Sequence, residues 1–153
     1  MRIPLSQDDI ERLQTNLQTI RQAGGWSTSA FGDLLGVSKQ TVCNLENGIS
    51  KMNKLQYIGI RVILDYEIKQ HPENEVLAYA VRVLLDSDRL TEEEKTKAKN
   101  AVAYASGAKK VGLDAATISA GLAAILGVIS LSTYLAGFET INWLTALMKK
   151  KGE

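Results

Sequence analysis

Several ingredients of common protein functions are scarce in this sequence of 153 residues. One cysteine, Cys43, rules out a disulfide within the chain and fits a reducing cytosol. The single histidine, His71, cannot alone complete a metal site or a catalytic triad, so it is interpreted as a solvated linker residue. Aromatic residues make up only 6% of the chain, which disfavours a nucleic-acid site built on stacked rings.

Motifs that carry catalysis are missing as well. The sequence has no glycine-rich phosphate loop, no H-E-x-x-H and no G-x-S-x-G. The acidic run Glu92-Glu93-Glu94 is explained by a helix N-terminus, which favours negative charge, and it needs no metal. We therefore expect no enzyme, cofactor or metal. The N-terminus lacks the apolar run of a secretory signal, which predicts a cytoplasmic protein.

What the chain does contain is enough apolar sequence for a packed core, with 45% hydrophobic residues. Its net charge is only +1, so the overall balance indicates no polyanionic partner. Apolar residues recur at helical spacing at Ile10, Leu13, Leu17 and Ile20, after a cap at Ser6. This pattern predicts a first helix that ends at Gly24-Gly25.

Residues 26–48 (W-S-T-S-A-F-G-D-L-L-G-V-S-K-Q-T-V-C-N-L-E-N-G) predict two short helices joined by a tight turn. Gly36 stands where the first helix must stop, at a position that favours positive φ. Ser27 and Ser38 are the predicted N-caps of the two helices. Exposed amides, hydroxyls and a lysine on the second helix are suited to reading base edges in a major groove.

This stretch resembles the helix-turn-helix of the Cro/repressor (XRE-like) family of bacterial and phage regulators. The ungapped agreement involves Trp26, Ser27, Phe31, Leu35, Gly36, Val37, Ser38, Thr41, Val42, Leu45, Glu46 and Gly48. The resemblance covers residues 10–68, under half of the chain. It implies a lambda-repressor-like, all-α DNA-binding domain over residues 1–70, made of four or five helices.

The resemblance also implies roles for individual residues. Base readout falls to Ser38, Lys39, Gln40, Thr41 and Asn44, with Cys43 close by. Phosphate contacts are expected from backbone N–H groups near Ser27 and Asn47, from Thr28, and from Lys51 and Lys54. Thr28 stands where the family usually has a glutamine, and its hydroxyl can also bond a phosphate but is carried on a shorter side chain. Arg21 and Glu46 are implied to form a structural ion pair.

Residues 71–153 are predicted to be a second, helical part of the chain. The apolar run Val76 to Leu85 predicts a buried helix, and Thr91 opens another that buries Ala98, Ala101, Val102 and Ala105 and ends near Ser106-Gly107. In residues 53–70 the expected core positions are Leu55, Ile58, Val62 and either Leu64 or Tyr66. Residues 141–148 are expected to form a last amphipathic helix.

Residues 115–138 form 24 positions without a charge, with one line of small and one line of bulky side chains at helical spacing. The segment 111–148 is therefore predicted to join two copies of the chain, and a membrane anchor is the second reading. The favoured function is a sequence-specific DNA-binding regulator, a repressor that acts as a dimer. An antitoxin-like adaptor, a membrane-anchored adaptor and a pure protein-interaction module remain open.

Overall fold

The computed structural model describes residues 6–86 and 91–113, and every regular element in these two ranges is an α-helix. In chain order the helices are α1 (Gln7–Ala23), α2 (Thr28–Leu35), α3 (Lys39–Glu46), α4 (Lys54–Gln70), α5 (Glu75–Leu84) and α6 (Glu92–Lys110). The predicted all-α class is confirmed for this part of the chain.

Short polar side chains determine where the helices begin. In each case the side chain accepts a hydrogen bond from the backbone N–H three residues later, which satisfies one of the helix's unpaired donors. Five of the residues that do so are Ser6, Ser27, Ser38, Asn53 and Thr91. The predicted helix starts at these positions are confirmed.

Helix α1 lies at the centre of the described fold, because α3, α4, α5 and α6 all pack against it. Its predicted apolar face is buried, as are the predicted alanines and valine of α6. The core is continuous across residues 71–74, where Asn74 Nδ2 donates to the Ala23 carbonyl at 3.1 Å. The division of the whole chain at residue 71 stays a prediction.

The core face predicted for α4 is wrong in part. Leu64 is buried, as one of its two alternatives predicted, and Ile58 is half-buried against the core. Leu55, Val62 and Tyr66 are exposed, with 79%, 47% and 65% of their surface accessible. The helix buries the line Tyr57, Ile60, Leu64 and Ile68. That line also contains Arg61, which is 1% exposed and donates to both carboxylate oxygens of Asp86 at 3.1 and 3.2 Å. The carboxylate of Asp86, just after the end of α5, compensates this buried charge.

The predicted end of α6 near Ser106-Gly107 is also wrong, because the helix continues to Lys110. Gly107 lies within the helix, and Ala108 beyond it is buried in the core. The helix stops one turn later, where Gly112 takes the left-handed conformation with φ of 85°. The Leu113 N–H then donates to the Ala108 carbonyl and closes the end.

The predictions for residues 115–138 and 141–148 lie outside the described residues. Residues 111–113, where the predicted dimerisation segment begins, are described, and Val111 and Leu113 are both exposed. None of the helices in the described ranges combines the length and the apolar character needed to cross a membrane.

Helices α2 and α3 have eight residues each and are joined by the turn at residues 36–38, as predicted. Each helix is followed by a glycine in the left-handed conformation: Gly36 has φ of 75° and Gly48 has φ of 72°. This conformation allows backbone N–H groups after the helix to donate to its last carbonyls. The N–H of Val37 donates to Gly32, and the N–H of Ile49 donates to Asn44.

Gly32 within α2 is required for a different reason, since the turn lies directly against it. A Cβ atom at this position would be 2.8 Å from the Val37 carbonyl oxygen, which is backbone and cannot swing away. The close approach of turn and helix therefore fixes how α3 leaves α2. No pattern in the sequence around Gly32 pointed to this close approach.

We predict that Gly32→Ala destabilises the protein by about 1–3 kcal/mol, although alanine is the better helix former. Gly107→Ala is the matched control, because nothing lies within 4 Å of a Cβ atom at that helical position. The control should raise stability by about 0.5–1 kcal/mol. Urea unfolding followed by circular dichroism measures the free energy of unfolding of both variants. Changes of the same sign in the two variants would contradict the requirement for glycine at position 32.

Candidate functional site

Arg21 is the side chain that joins the three helices around the candidate site. From α1, its Nε and Nη2 atoms donate to the two carboxylate oxygens of Glu46, at 2.5 and 3.2 Å, at the end of α3. Its Nη1 atom donates to the Trp26 carbonyl at 2.7 Å, just before α2. Side-chain exposure is 10% for Arg21 and 6% for Glu46. The predicted structural ion pair is therefore present, and it is largely removed from water.

The predicted base-reading residues share the outer side of α3. Val42 and Leu45 are buried in the core, so the helix turns its other side outward. Ser38, Lys39 and Gln40 are exposed. The remaining three predicted readers, Thr41, Cys43 and Asn44, are half-buried. Together they form one polar surface, called here the α3 face.

Gln40 and Asn44 lie one helical turn apart on the α3 face and are joined by a hydrogen bond. The Nε2 atom of Gln40 donates to Oδ1 of Asn44 at 2.9 Å. Gln40 keeps its carbonyl oxygen and a second N–H, while Asn44 keeps two N–H donors. Adenine in the major groove offers one acceptor and one donor, which matches the groups that Gln40 retains.

The hydroxyls of Ser38 and Thr41 lie within 3.0 Å of each other, and Ser38 Oγ also caps the Thr41 N–H. These contacts give both hydroxyls a part in starting α3. If either hydroxyl bound DNA, it would do so while also stabilising the start of α3. The side chains of Lys39 and Gln40 do not take part in the cap.

The expectation of a backbone phosphate site at Asn47 does not fit the structure. The Asn47 N–H donates to the Cys43 carbonyl at 3.0 Å, and the N–H groups of Ile49 and Ser50 donate to Asn44. These donors are turned toward the end of α3 because they complete its last turn. The side chain of Asn47 is exposed and remains the part that can reach a phosphate.

The other predicted phosphate contacts are accessible. Lys51, in the loop before α4, and Lys54, the first residue of α4, are both exposed. At α2, the Ser27 hydroxyl caps Ala30 at 3.0 Å, and the first-turn N–H groups that follow are the donors that a helix start leaves for an outside anion. Thr28, the first residue of α2, is half-buried.

The electrostatic balance of this region is more positive than its sequence indicates. Residues 38–54 contain three lysines and one glutamate, Glu46. Because Glu46 is paired with Arg21 and buried, its charge is compensated within the core. The three lysines are all exposed, so their charges are accessible to a ligand.

Gln14 is a residue that the sequence analysis missed. Its Nε2 atom donates to the carbonyls of Leu45 at 3.0 Å and Ser50 at 2.7 Å, and its Oε1 atom accepts from the Met52 N–H at 2.9 Å. A signal was present in the sequence, since Gln14 lies seven residues before Arg21 and both fall on one side of α1. A polar residue on an otherwise buried helical side calls for a polar partner.

Within residues 6–86 and 91–113, no group of three or more His, Cys, Asp or Glu side chains could hold a metal ion. Cys43 is a free thiol that is half-buried on α3. Neither a protein-family model, nor a curated protein, nor a solved structure matches this chain.

We predict that Glu46→Ala destabilises the protein by about 3–5 kcal/mol, because it strands the buried Arg21 charge. The melting temperature should fall by roughly 10 °C or more. Glu93→Ala is the matched control, since Glu93 is 81% exposed and pairs with Lys97 at 3.5 Å on the surface of α6. Differential scanning calorimetry compares the two, and an unchanged melting temperature in Glu46→Ala would refute a structural role.

Proposed function

We propose that this protein is a sequence-specific DNA-binding regulator whose α3 face enters the major groove. The observation that carries the proposal is the α3 face itself: a short helix, buried on one side, presents a lysine and two amides outward from a position fixed by Arg21. The proposal is further supported by two short helices, α2 and α3, joined by a tight turn, because the sequence resemblance implies a lambda-repressor-like, helix-turn-helix domain.

In this proposal the residues divide into two kinds of contact. Gln40 and Asn44 meet base edges, and Lys39 reaches a guanine or a phosphate. Lys51, Lys54 and the side chain of Asn47 meet the backbone, together with the first turn of α2 at Ser27 and Thr28. Backbone contacts set affinity and register, while the base contacts carry sequence preference.

Two copies on a two-fold operator follow from the small size of the α3 face. One such module buries too little surface for tight specific binding, and the net charge of the whole chain is only +1. The proposed homodimer surface is the segment 111–148, which begins with the exposed Val111 and Leu113. Repression by occupying a promoter is the proposed outcome, inside the cytoplasm.

A partner-binding adaptor is the second candidate function. The same exposed apolar residues at 111–113 lead into the 24 uncharged positions of 115–138, which a second protein or a bilayer would also cover. In an antitoxin-like adaptor the C-terminal part holds a partner while the α3 face still binds DNA. A DNA-independent interaction module differs in that the α3 face has no role.

Fluorescence anisotropy with duplex DNA from upstream of the protein's own coding sequence tests the proposal. Titrations of the full chain at about 50 and 200 mM salt should show affinity falling steeply with salt, and tighter binding to one duplex than to shuffled sequence. An affinity that depends neither on salt concentration nor on DNA sequence would contradict the proposal and favour the interaction module.

We predict that Gln40→Ala reduces the preference for the bound sequence by about 1–3 kcal/mol while leaving the salt dependence unchanged. Lys51→Ala should do the reverse, lowering the salt slope by about one and weakening all duplexes alike.

Lys69→Ala is the control for Lys51→Ala. Lys69 is also an exposed lysine, but it lies in the last turn of α4, fifteen residues or about 22 Å along the helix from Lys54. Its replacement should leave both the sequence preference and the salt slope unchanged. Equal effects of the two lysine substitutions would show that only overall charge matters, and would remove the assigned roles.

A further inference from the structure

The three hydrogen bonds of Gln14 all end on one short piece of backbone. That piece is the loop 47–53 between α3 and α4, together with the last turn of α3 before it. Gln14 uses both of its N–H donors on the carbonyls of Leu45 and Ser50, and its oxygen on the N–H of Met52. One half-buried amide from α1 thus connects the end of α3 to the residues that lead into α4.

Lys51 is held by these bonds on both sides. Ser50 before it and Met52 after it are each bonded to Gln14, and Met52 is a buried residue with 3% exposure. Lys51 itself is exposed. Its backbone is therefore held between two bonded neighbours although the loop has no regular secondary structure.

We infer that Gln14 is a positioning residue for DNA-backbone recognition, which acts by holding Lys51 and the loop 47–53 toward the phosphates. This inference rests on the proposed DNA-binding function. Contact with a phosphate from an unfixed loop must offset the entropy of ordering that loop, whereas a loop already held by α1 avoids this cost. Gln14 itself touches no DNA in this account.

The chemistry of Gln14 explains why this residue type suits the role. Two backbone carbonyls and one backbone N–H must be satisfied from a single direction, and an amide supplies two donors and an acceptor. A glutamate in its place would direct oxygen toward two carbonyl oxygens. A methionine of similar length would leave all three backbone groups without this partner.

The test compares Gln14→Met with Gln18→Met in the full chain. Gln18 lies one turn further along α1 and is exposed, so its replacement is a matched change outside the loop contact. The first readout needs no DNA: amide hydrogen exchange of Met52 should become at least tenfold faster in Gln14→Met, with α5 and α6 unchanged. Gln14→Asn, whose shorter side chain cannot reach all three groups, replaces Gln14→Met if that variant fails to fold.

The second readout is the salt slope of DNA binding in a double-mutant cycle with Lys51→Ala. Gln14→Met should lower the slope by about one and preserve sequence preference. The double variant should lose no more slope than Lys51→Ala alone, because both changes remove the same contact. A purely structural glutamine would weaken binding only through the folded fraction and would leave the slope intact.

Two results would overturn the inference. Unchanged exchange at Met52 would show that Gln14 does not hold the loop, whatever the DNA result. An unchanged slope in Gln14→Met, beside a normal slope in the parent protein, would show that the loop does not present a phosphate contact. If the DNA affinity of the parent protein did not depend on salt concentration, the proposed function would be refuted, and the DNA part of this inference with it.

Discussion

The buried guanidinium of Arg21 is the constraint on which the arrangement of the first three helices depends. A positive charge with 10% exposure on the central helix must be compensated, and Glu46 provides both carboxylate oxygens from the end of α3. The third donor direction is satisfied by the Trp26 carbonyl at the entry to α2. Because an uncompensated buried charge costs several kcal/mol, α2 and α3 cannot leave α1 independently of each other.

This constraint matters for function because α3 is too short to be stable by itself. A helix of eight residues gains little from its own hydrogen bonds, so its position is set by what it packs against. Val42 and Leu45 supply the apolar part of that packing, and Glu46 and the Leu45 carbonyl supply the polar part through Arg21 and Gln14. Lys39 and Gln40, which are exposed and take no part in these contacts or in the cap of α3, are then available for a ligand.

The sequence was informative where one local signal dominated. Four evenly spaced apolar residues in α1 and short capping side chains at the helix starts made these elements predictable. In α4 both sides of the helix are apolar, so periodicity could not choose between them, and the buried line was the one containing Arg61 and Asp65. The carboxylate of Asp86, distant in sequence, pairs with the buried Arg61 and helps make that choice physically acceptable. The roles of Gln14 and Gly32 were not predictable for a similar reason, because both depend on backbone that only the fold brings close to them. The Asn47 N–H was predicted to bind phosphate, but it donates within the last turn of α3.

The central claim is that the α3 face reads a DNA sequence, and selection from a random duplex library with the full chain tests it most directly. The account predicts one enriched motif, made of two half-sites related by a two-fold axis, with centres about 10 base pairs or a multiple of that apart. The enriched motif should weaken when Gln40 and Asn44 are both replaced by alanine. A bound pool that remains indistinguishable from the input library at both low and moderate salt would contradict the account.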